Sequence, residues 1–293
     1  MTAQRHAPRL TARPQTSRVV GFDLRAAVIL VLVSFAGLSM FVWPLLITPA
    51  SGLAHGRDAP FVFVAILPCL LAVVLSEMTA GRLDTKAVAM LGVLAALGAA
   101  LRPMGAGVAG IETVLFLLIL GGRVYGPGFG FVLGALTLFA SALITGGVGP
   151  WLPFQMLAAA WVGLGAGLLP RARGRAEITL LAAYGVVSAY VYGFLLNLWF
   201  WPFATGSGTQ LSYIPGASVL TNLHRFFVYT LASSTLGWDT GRALTNLAAI
   251  LVIGPVALVT LRRAARRAAF GAPVVFADAP PSAGVGHDDP ATG

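Results

Sequence analysis

The sequence has a single cysteine, Cys69, set inside an apolar run, which excludes a disulfide within the chain and any cysteine-built metal site. Charge is scarce: Asp, Glu, Lys and Arg make up 10% of the residues, against about 25% in an ordinary soluble domain. Too few charges remain to clothe a water-facing surface. Lysine is nearly absent. The one lysine, Lys86, follows Leu-Asp-Thr rather than a glycine-rich turn, so hydrolysis of ATP through a phosphate loop is excluded. Of the four histidines, His6 and His287 sit in polar tails and His55 in a short connection, leaving His224 alone beside apolar sequence. No His-based metal cage or catalytic triad can be assembled from them in a bilayer. Asp23, Asp58, Asp84 and Asp239 are scattered rather than clustered as Mg²⁺-diphosphate chemistry requires. An enzyme is therefore the weaker reading, and no cofactor is expected.

What the sequence does have is apolar length. Hydrophobic residues make up 57% of the chain and the mean hydropathy is +0.85, and several runs reach the roughly 20 residues that cross a hydrocarbon core. Reading the runs between charged or Gly/Pro-rich breaks predicts an all-α integral membrane protein with about eight transmembrane helices, at 26–48, 60–79, 85–101, 104–122, 128–146, 153–170, 178–200 and 243–261. The runs lack the dyad alternation of barrel strands, and only helices otherwise satisfy their own backbone in lipid. The polar stretch 1–25 reads as a cytoplasmic tail. The first apolar run exceeds the core of about 7–15 residues found in a cleavable signal, so it reads as a retained span. The stretch 263–293, rich in Ala, Pro, Gly and Asp, reads as a disordered tail.

The net charge of +9 acquires meaning from its placement, because Lys and Arg concentrate in cytoplasmic loops. With the N-terminus inside, fifteen of the nineteen cations fall on the cytoplasmic side, in the N-terminal tail, at Arg82 and Lys86, at Arg123, at Arg171, Arg173 and Arg175, and at Arg262, Arg263, Arg266 and Arg267. The outer side holds Arg57, Arg102, Arg225 and Arg242. The asymmetry predicts an even span count with both ends inside. Residues 216–236 are apolar enough for a ninth span, but that span would put the terminal Arg cluster outside. Asn222, His224 and Arg225 at its middle are also costly in lipid. The segment is expected in a long outer loop, as a helix lying in the interface.

Several residues stand out against this background. In the third span, Gly92, Ala96 and Ala100 share one face at i, i+4, i+8 and are flanked by Ala95 and Ala99. Small residues so spaced admit a second helix at close range, either from this chain or from a partner. Breaks at Gly126–Pro127 and Gly146–Pro150 leave bends where backbone can line a cavity. The outer bend ends in Trp151, with Gln155 one turn on. The seventh span ends in Asn197, Trp199 and Trp201, and Trp238–Asp239 and Asn246 follow on the same side. Aromatic faces with amide and carboxylate groups are the mix expected of a small-molecule pocket. An interfacial belt accounts for the Trp residues equally well, but not for the amides. Glu112 within the fourth span is either a ligand contact, a proton relay or an internal hydrogen-bonding group. Glu77 lies near Arg82 and the inner surface, where water can solvate it. Gly254–Pro255 is expected to kink the last helix.

Together these patterns carry a resemblance. From about Asp84 to Arg262 the chain resembles the substrate-binding S-components of energy-coupling factor (ECF) vitamin transporters. The likeness lies in the small-residue first core helix, the GP-GFGFVLG helix, the GGVGPWLPFQM bend with its GLGAGLLPR helix, and the Arg-rich inner ends. It implies a six-helix core that captures a vitamin or similar micronutrient from the outer side and has no motor of its own. It further implies a partner transmembrane T-subunit, packed on an AxxxA-type face, and two cytoplasmic ATPases. Ala95/Ala99 and Ala96/Ala100 match that face, and Gly92 extends it. The substrate-binding set is then Glu112, Trp151, Gln155, Asn197, Trp199, Trp201, Asp239 and Asn246. The chain departs from the family in its two extra spans within 26–83. The N-terminal His cluster of metal-transporting members is missing, and the long outer loop with its aromatics favours a bulky solute such as a corrinoid.

Two other functions remain open on the sequence. One is a secondary transporter coupled to protons through Glu112. The other is a membrane assembly protein whose Trp and amide cluster contacts another chain.

Overall fold

The computed structural model describes residues 24–46, 85–105, 110–205 and 208–268, with the isolated helical positions 68, 72, 75 and 76. The expected span at 60–79 thus lies almost wholly outside the described residues, as do residues 1–23 and 269–293, Cys69, Glu77 and Arg82. Every described secondary-structure element is helical. Three helices are long and apolar enough to cross a membrane: Thr85–Gly105, Pro127–Thr145 and Arg175–Ala204. A bent pair, Val219–Val252 with Gly254–Ala268, makes a fourth if taken as one span. Their outward faces are apolar too, with Val93, Leu97, Phe139, Leu143, Ile144, Val187 and Val191 all exposed. Soluble monomers rarely show such continuous greasy surface, and the chain is a multi-pass helical membrane protein.

Helix α1 (Leu24–Phe41) and the single turn α2 (Trp43–Leu46) precede α3 (Thr85–Leu101). Helix α3 ends because Pro103 has no N–H and disfavours helical backbone at Arg102, and the chain tightens into a 3₁₀ turn, Arg102–Gly105. Thr113 Oγ1 donates to the Leu101 carbonyl at 2.7 Å, satisfying one of the acceptors a helix end leaves free. The span expected at 104–122 is corrected here. Helix α4 runs only over Leu115–Tyr125, and Glu112 lies in non-helical chain before it. The breakers Pro103, Gly105 and Gly110 explain the difference. Gly110 has φ +81° and abuts the backbone of Trp238, so no larger side chain fits there.

Three helices form a tightly packed centre. Gly126, at φ +99°, joins α4 directly to α5 (Pro127–Thr145), and left-handed Gly146 closes α5 by donating its N–H to Ala142. Helix α6 (Leu152–Leu168) returns antiparallel. Gly130 and Gly163 meet backbone to backbone, Gly122 meets Gly163, and Gly134 meets Ala159. With no side chains between them, the helices gain dispersion contact along their main chains, which drives helix association where lipid removes the hydrophobic incentive. Helix α4 is buried nearly all round, from Leu115 to Gly122.

Around this centre pack α1, α3 and α7 (Arg175–Ala204). Gly98 of α3 sits against Thr137 of α5. Ser34 of α1 accepts from Trp161 Nε1 at 2.9 Å, Phe41 meets Phe154 edge-on at 5.1 Å, and Trp43 Nε1 donates to the Trp199 carbonyl at 2.9 Å. Helix α1 and the turn α2 therefore cover the flank formed by α6 and α7. At 30 residues, α7 is roughly 45 Å long and overhangs its shorter neighbours. Its last turns carry a second small core of Leu198, Trp201 and Phe226.

The segment 216–236 also differs from expectation. It is helical, as expected, but instead of standing apart from a separate span at 243–261 it runs on into it, and residues 219–252 form one rod. It consists of α8 (Val219–Thr230), a π-helical segment (Leu231–Asp239) and α9 (Thr240–Val252). Two of the three polar residues are bonded locally. Asn222 exchanges two hydrogen bonds with Ile214 (2.9 and 3.1 Å), and Arg225 Nη1 donates to the carbonyls of Thr209, Gln210 and Ser212. His224 lines a shallow groove beside them. These bonds fold the 208–218 loop onto α8. The rod ends at Ile253 and bends by 65° into α10 (Gly254–Ala268), the kink expected at Gly254–Pro255. Helix α10 continues to Ala268, beyond the boundary at 263 where the tail is expected.

Chain direction gives the bundle two unlike ends. One gathers Arg123, the turn at Leu169–Gly174 and Arg262; the other gathers the ends of α3 and α5 and the starts of α4 and α6.

Candidate functional site

At the second end lies a cavity of about 330 Å³, lined by Arg102, Glu112, Thr145, Trp151, Gln155, Tyr192, Trp238 and Arg242 among others. Its volume is at the low end of the range for small-molecule sites. The fold puts it there because four helix ends stop at the same level while α7 and the 219–252 rod continue past and wall it on one side. The Gly146–Pro150 bend contributes Thr145 and Gly147. The non-helical chain before α4 contributes Gly110, Ile111 and Glu112.

Arg242 organises one wall. Its Nε donates to Glu112 Oε2 and its Nη1 to Asp239 Oδ1 at 2.8 Å. The guanidinium stands 5.0 Å from the centre of the Tyr192 ring, a cation–π geometry strengthened where water is excluded. Asp239 is 1% exposed and also accepts from Ser234 Oγ at 3.1 Å. One cation thus serves two carboxylates on a wall drawn from three parts of the chain. The π-helical segment supplies the extra residue per turn that turns Trp238 toward Gly110 and Asp239 toward Gly193.

The opposite polar feature is Arg102, half-buried, whose Nη2 donates to Gln155 Oε1 at 3.0 Å and whose Nη1 lies 3.5 Å from Ser141 Oγ. Gln155 therefore has the partner a buried amide requires. Trp151, the cap residue just before α6, is about half exposed and donates its indole N–H to the Gly147 carbonyl at 3.1 Å.

Of the residues singled out in the sequence, Glu112, Trp151 and Gln155 line this cavity, and Asp239 stands behind it through Arg242. Asn197 lies in an adjoining recess with Ser233, Ser234 and Asp239, and its amide donates to Thr230 Oγ1 at 2.9 Å. The other three are placed in packing rather than in the cavity. Trp199 is 3% exposed and stacked on Phe154 with ring centres 4.2 Å apart. Trp201 is fully buried and donates to the Leu211 carbonyl at 2.8 Å. Asn246 donates to the Gly185 carbonyl at 3.1 Å inside the α7–α9 contact. Among the lining residues outside the expected set, Arg102, Tyr192 and Arg242 shape the polar walls. For the arginines a signal existed, since both are cations left on the arginine-poor side. For Tyr192, in mid-helix, there was none.

The face on α3 divides in two. Ala95 and Ala99 are buried within the chain, whereas Gly92, Ala96 and Ala100 are exposed, and a Cβ built at Gly92 would meet nothing among the described residues. Groups of three or more His, Cys, Asp or Glu able to hold a metal ion do not occur among the described residues.

No protein-family model, curated protein or solved structure matches the chain.

Proposed function

We propose that this chain is the membrane-embedded capture subunit of an ECF-type importer. It takes a vitamin or related micronutrient from the outer side of a prokaryotic cytoplasmic membrane and draws its energy from a partner T-subunit and two cytoplasmic ATPases. The observation that carries the reading is the cavity itself: aromatic, amide and charged groups converge at one end of an otherwise apolar bundle, opposite the arginine-rich end. By the charge asymmetry of the sequence, the cavity end faces outward.

The missing phosphate loop fits a subunit that relies on others for ATP. The exposed Gly92/Ala96/Ala100 face, bordered by Val93 and Leu97, is the surface on which a partner helix would pack. Ala95 and Ala99 are already committed inside the chain, so the proposed interface contracts to the outer row. A corrinoid remains among the candidate solutes, and at about 330 Å³ the cavity would hold only part of one. Proton coupling through Glu112 would require its pairing with Arg242 to break in each cycle.

The test is transport and binding by the purified chain. It should be stabilised by a micronutrient on its own, because a ligand that binds only the folded state raises its stability. Uptake into liposomes should require the partner subunits and ATP. Solute movement by the chain alone, driven by a pH gradient, would replace this proposal with the proton-coupled one.

A further inference from the structure

The two arginines of the cavity are compensated very differently. Arg242 is shared between Glu112 and Asp239. Arg102 has neutral partners only, the Gln155 amide oxygen at 3.0 Å and the Ser141 hydroxyl at 3.5 Å. Among the described residues no carboxylate is paired with it. Glu112, the one acidic side chain lining the same cavity, is engaged by Arg242.

The hydrogen-bond inventory around Arg102 is equally one-sided. A guanidinium has five N–H donors, and two are engaged here at most. Gln155 uses its oxygen on Arg102, which leaves its NH₂ group without a hydrogen-bond acceptor among the described residues. The Tyr192 hydroxyl, on the cavity wall, likewise has no hydrogen-bond partner among them. A half-buried positive charge whose free donors open into a cavity, with further free donors beside it, is a ready seat for an acceptor of opposite charge. Planar guanidinium and amide groups side by side match the oxygens of a carboxylate or phosphate. Trp151, one turn before Gln155, adds an exposed aromatic face next to that polar corner.

We infer that the solute captured in this cavity carries an oxyanion, a carboxylate or phosphate ester, that docks on Arg102 and the Gln155 amide, with its planar or apolar remainder against Trp151. The inference rests on the cavity being the capture site, and it names the chemical class of the cargo.

The experiment uses the purified full-length chain and matched pairs of probes: nicotinate and nicotinamide, 4-aminobenzoate and 4-aminobenzamide, phenyl phosphate and phenol. Binding is read by thermal shift and calorimetry. At least one anionic member should bind roughly tenfold tighter than its neutral counterpart, the scale of a charge-assisted hydrogen-bonded pair. Whether that member is a carboxylate or the phosphate tells the two sources apart. Arg102→Gln should abolish the preference, and Arg102→Lys should keep part of it. Should Arg102→Gln fail to fold, as judged by gel filtration and unliganded Tm, Gln155→Glu serves instead. It installs a protein carboxylate beside Arg102 and should erase the preference for anions. Equal binding within every pair, a preference that survives Arg102→Gln or Gln155→Glu, or no binding by any anionic probe overturns the inference. A wider screen of neutral micronutrients separates the two levels of argument. A neutral solute whose binding is lost in Trp151→Ala leaves capture standing and ends the oxyanion assignment, whereas stabilisation by no solute at all ends both.

Discussion

Gly193 of α7 lies so close to the Asp239 carboxylate that a single methyl group there would overlap it. The contact matters because Asp239 holds Arg242 at 2.8 Å, and Arg242 in turn holds Glu112. Gly193→Ala is expected to push the carboxylate off its site and disturb the whole charged wall. The loss should be about 1–3 kcal/mol, typical of overpacking in a filled interior. Thermal unfolding checks it, and solute affinity should fall in parallel. An unchanged Tm would mean that Asp239 can swing aside without losing Arg242.

The wall also predicts an order among its members. Arg242 neutralises two carboxylates, whose side chains with its own are all at most 16% exposed. Arg242→Gln leaves two like charges facing each other without compensation, whereas Glu112→Gln leaves Arg242 still paired with Asp239. Arg242→Gln should therefore destabilise by about 3–5 kcal/mol, the cost of breaking a buried pair. Glu112→Gln should cost about 1–3 kcal/mol, the range for one lost buried hydrogen bond. Denaturant unfolding of both single variants and the double variant measures the order. In the double variant the losses should fall short of additive, because the two side chains share one interaction.

What the sequence made legible follows from which residues act locally. Gly126–Pro127, Gly146–Pro150 and Gly254–Pro255 set backbone geometry by themselves, so the bends they mark were readable, as were the helices over 85–101, 128–146 and 153–170. The 104–122 segment was misread because hydropathy weighs composition, not partners, while the helix within 216–236 was expected but its continuity with α9 was not. Glu112 falls outside a helix through nearby breakers, and Asn222 and Arg225 are satisfied by bonding a loop that only the tertiary fold brings near. Trp199 and Trp201 look like ligand contacts in sequence because an indole ring carries the same signal in a pocket, a belt or a core. Burial against Phe154 and Phe226 decides the matter. Arg102 and Arg242 were visible as cations on the arginine-poor side, but that pattern alone does not separate a cavity residue from a loop residue such as Arg225.

Two glycines with the same chemistry should respond oppositely to enlargement. A Cβ at Gly163 would run into the backbone of Gly130, so Gly163→Val must separate α6 from α5. The expected outcome is loss of the folded chain, or a fall of at least about 3 kcal/mol, since backbone cannot yield as a side chain can. Gly92→Val meets nothing among the described residues and should change stability by no more than about 0.5 kcal/mol. Under the proposed function, the same Gly92→Val substitution should block copurification of the T-subunit. Comparing Tm and pull-down for the pair of variants separates packing inside the chain from packing between chains.

At the far end of the bundle, Glu177 is 2% exposed and receives Arg123 Nε at 2.7 Å and Arg262 Nη2 at 2.6 Å. Arg123 is further fixed by the Leu169 and Pro170 carbonyls, both at 3.0 Å, so Glu177 ties α4, the α6–α7 turn and α10 together. Glu177→Ala strands a buried guanidinium and should cost about 3–5 kcal/mol. Arg262→Ala removes a partner that is 41% exposed and should cost no more than about 1 kcal/mol. Without Glu177, the polar ties left between α10 and the bundle among the described residues include the Tyr125 hydroxyl donating to Leu261 at 3.2 Å and, at the far end of the helix, Lys86 Nζ donating to the Ala268 carbonyl at 3.0 Å. Hydrogen exchange across 254–268 should therefore accelerate, and trypsin should cut after Arg262 and Arg263. The cavity lies at the opposite end of the helices, so solute affinity in Glu177→Ala should match the parent at temperatures where both are folded. A weakened affinity there would mean that the two ends communicate along the short, fully packed α4, and that the arginine end takes part in capture.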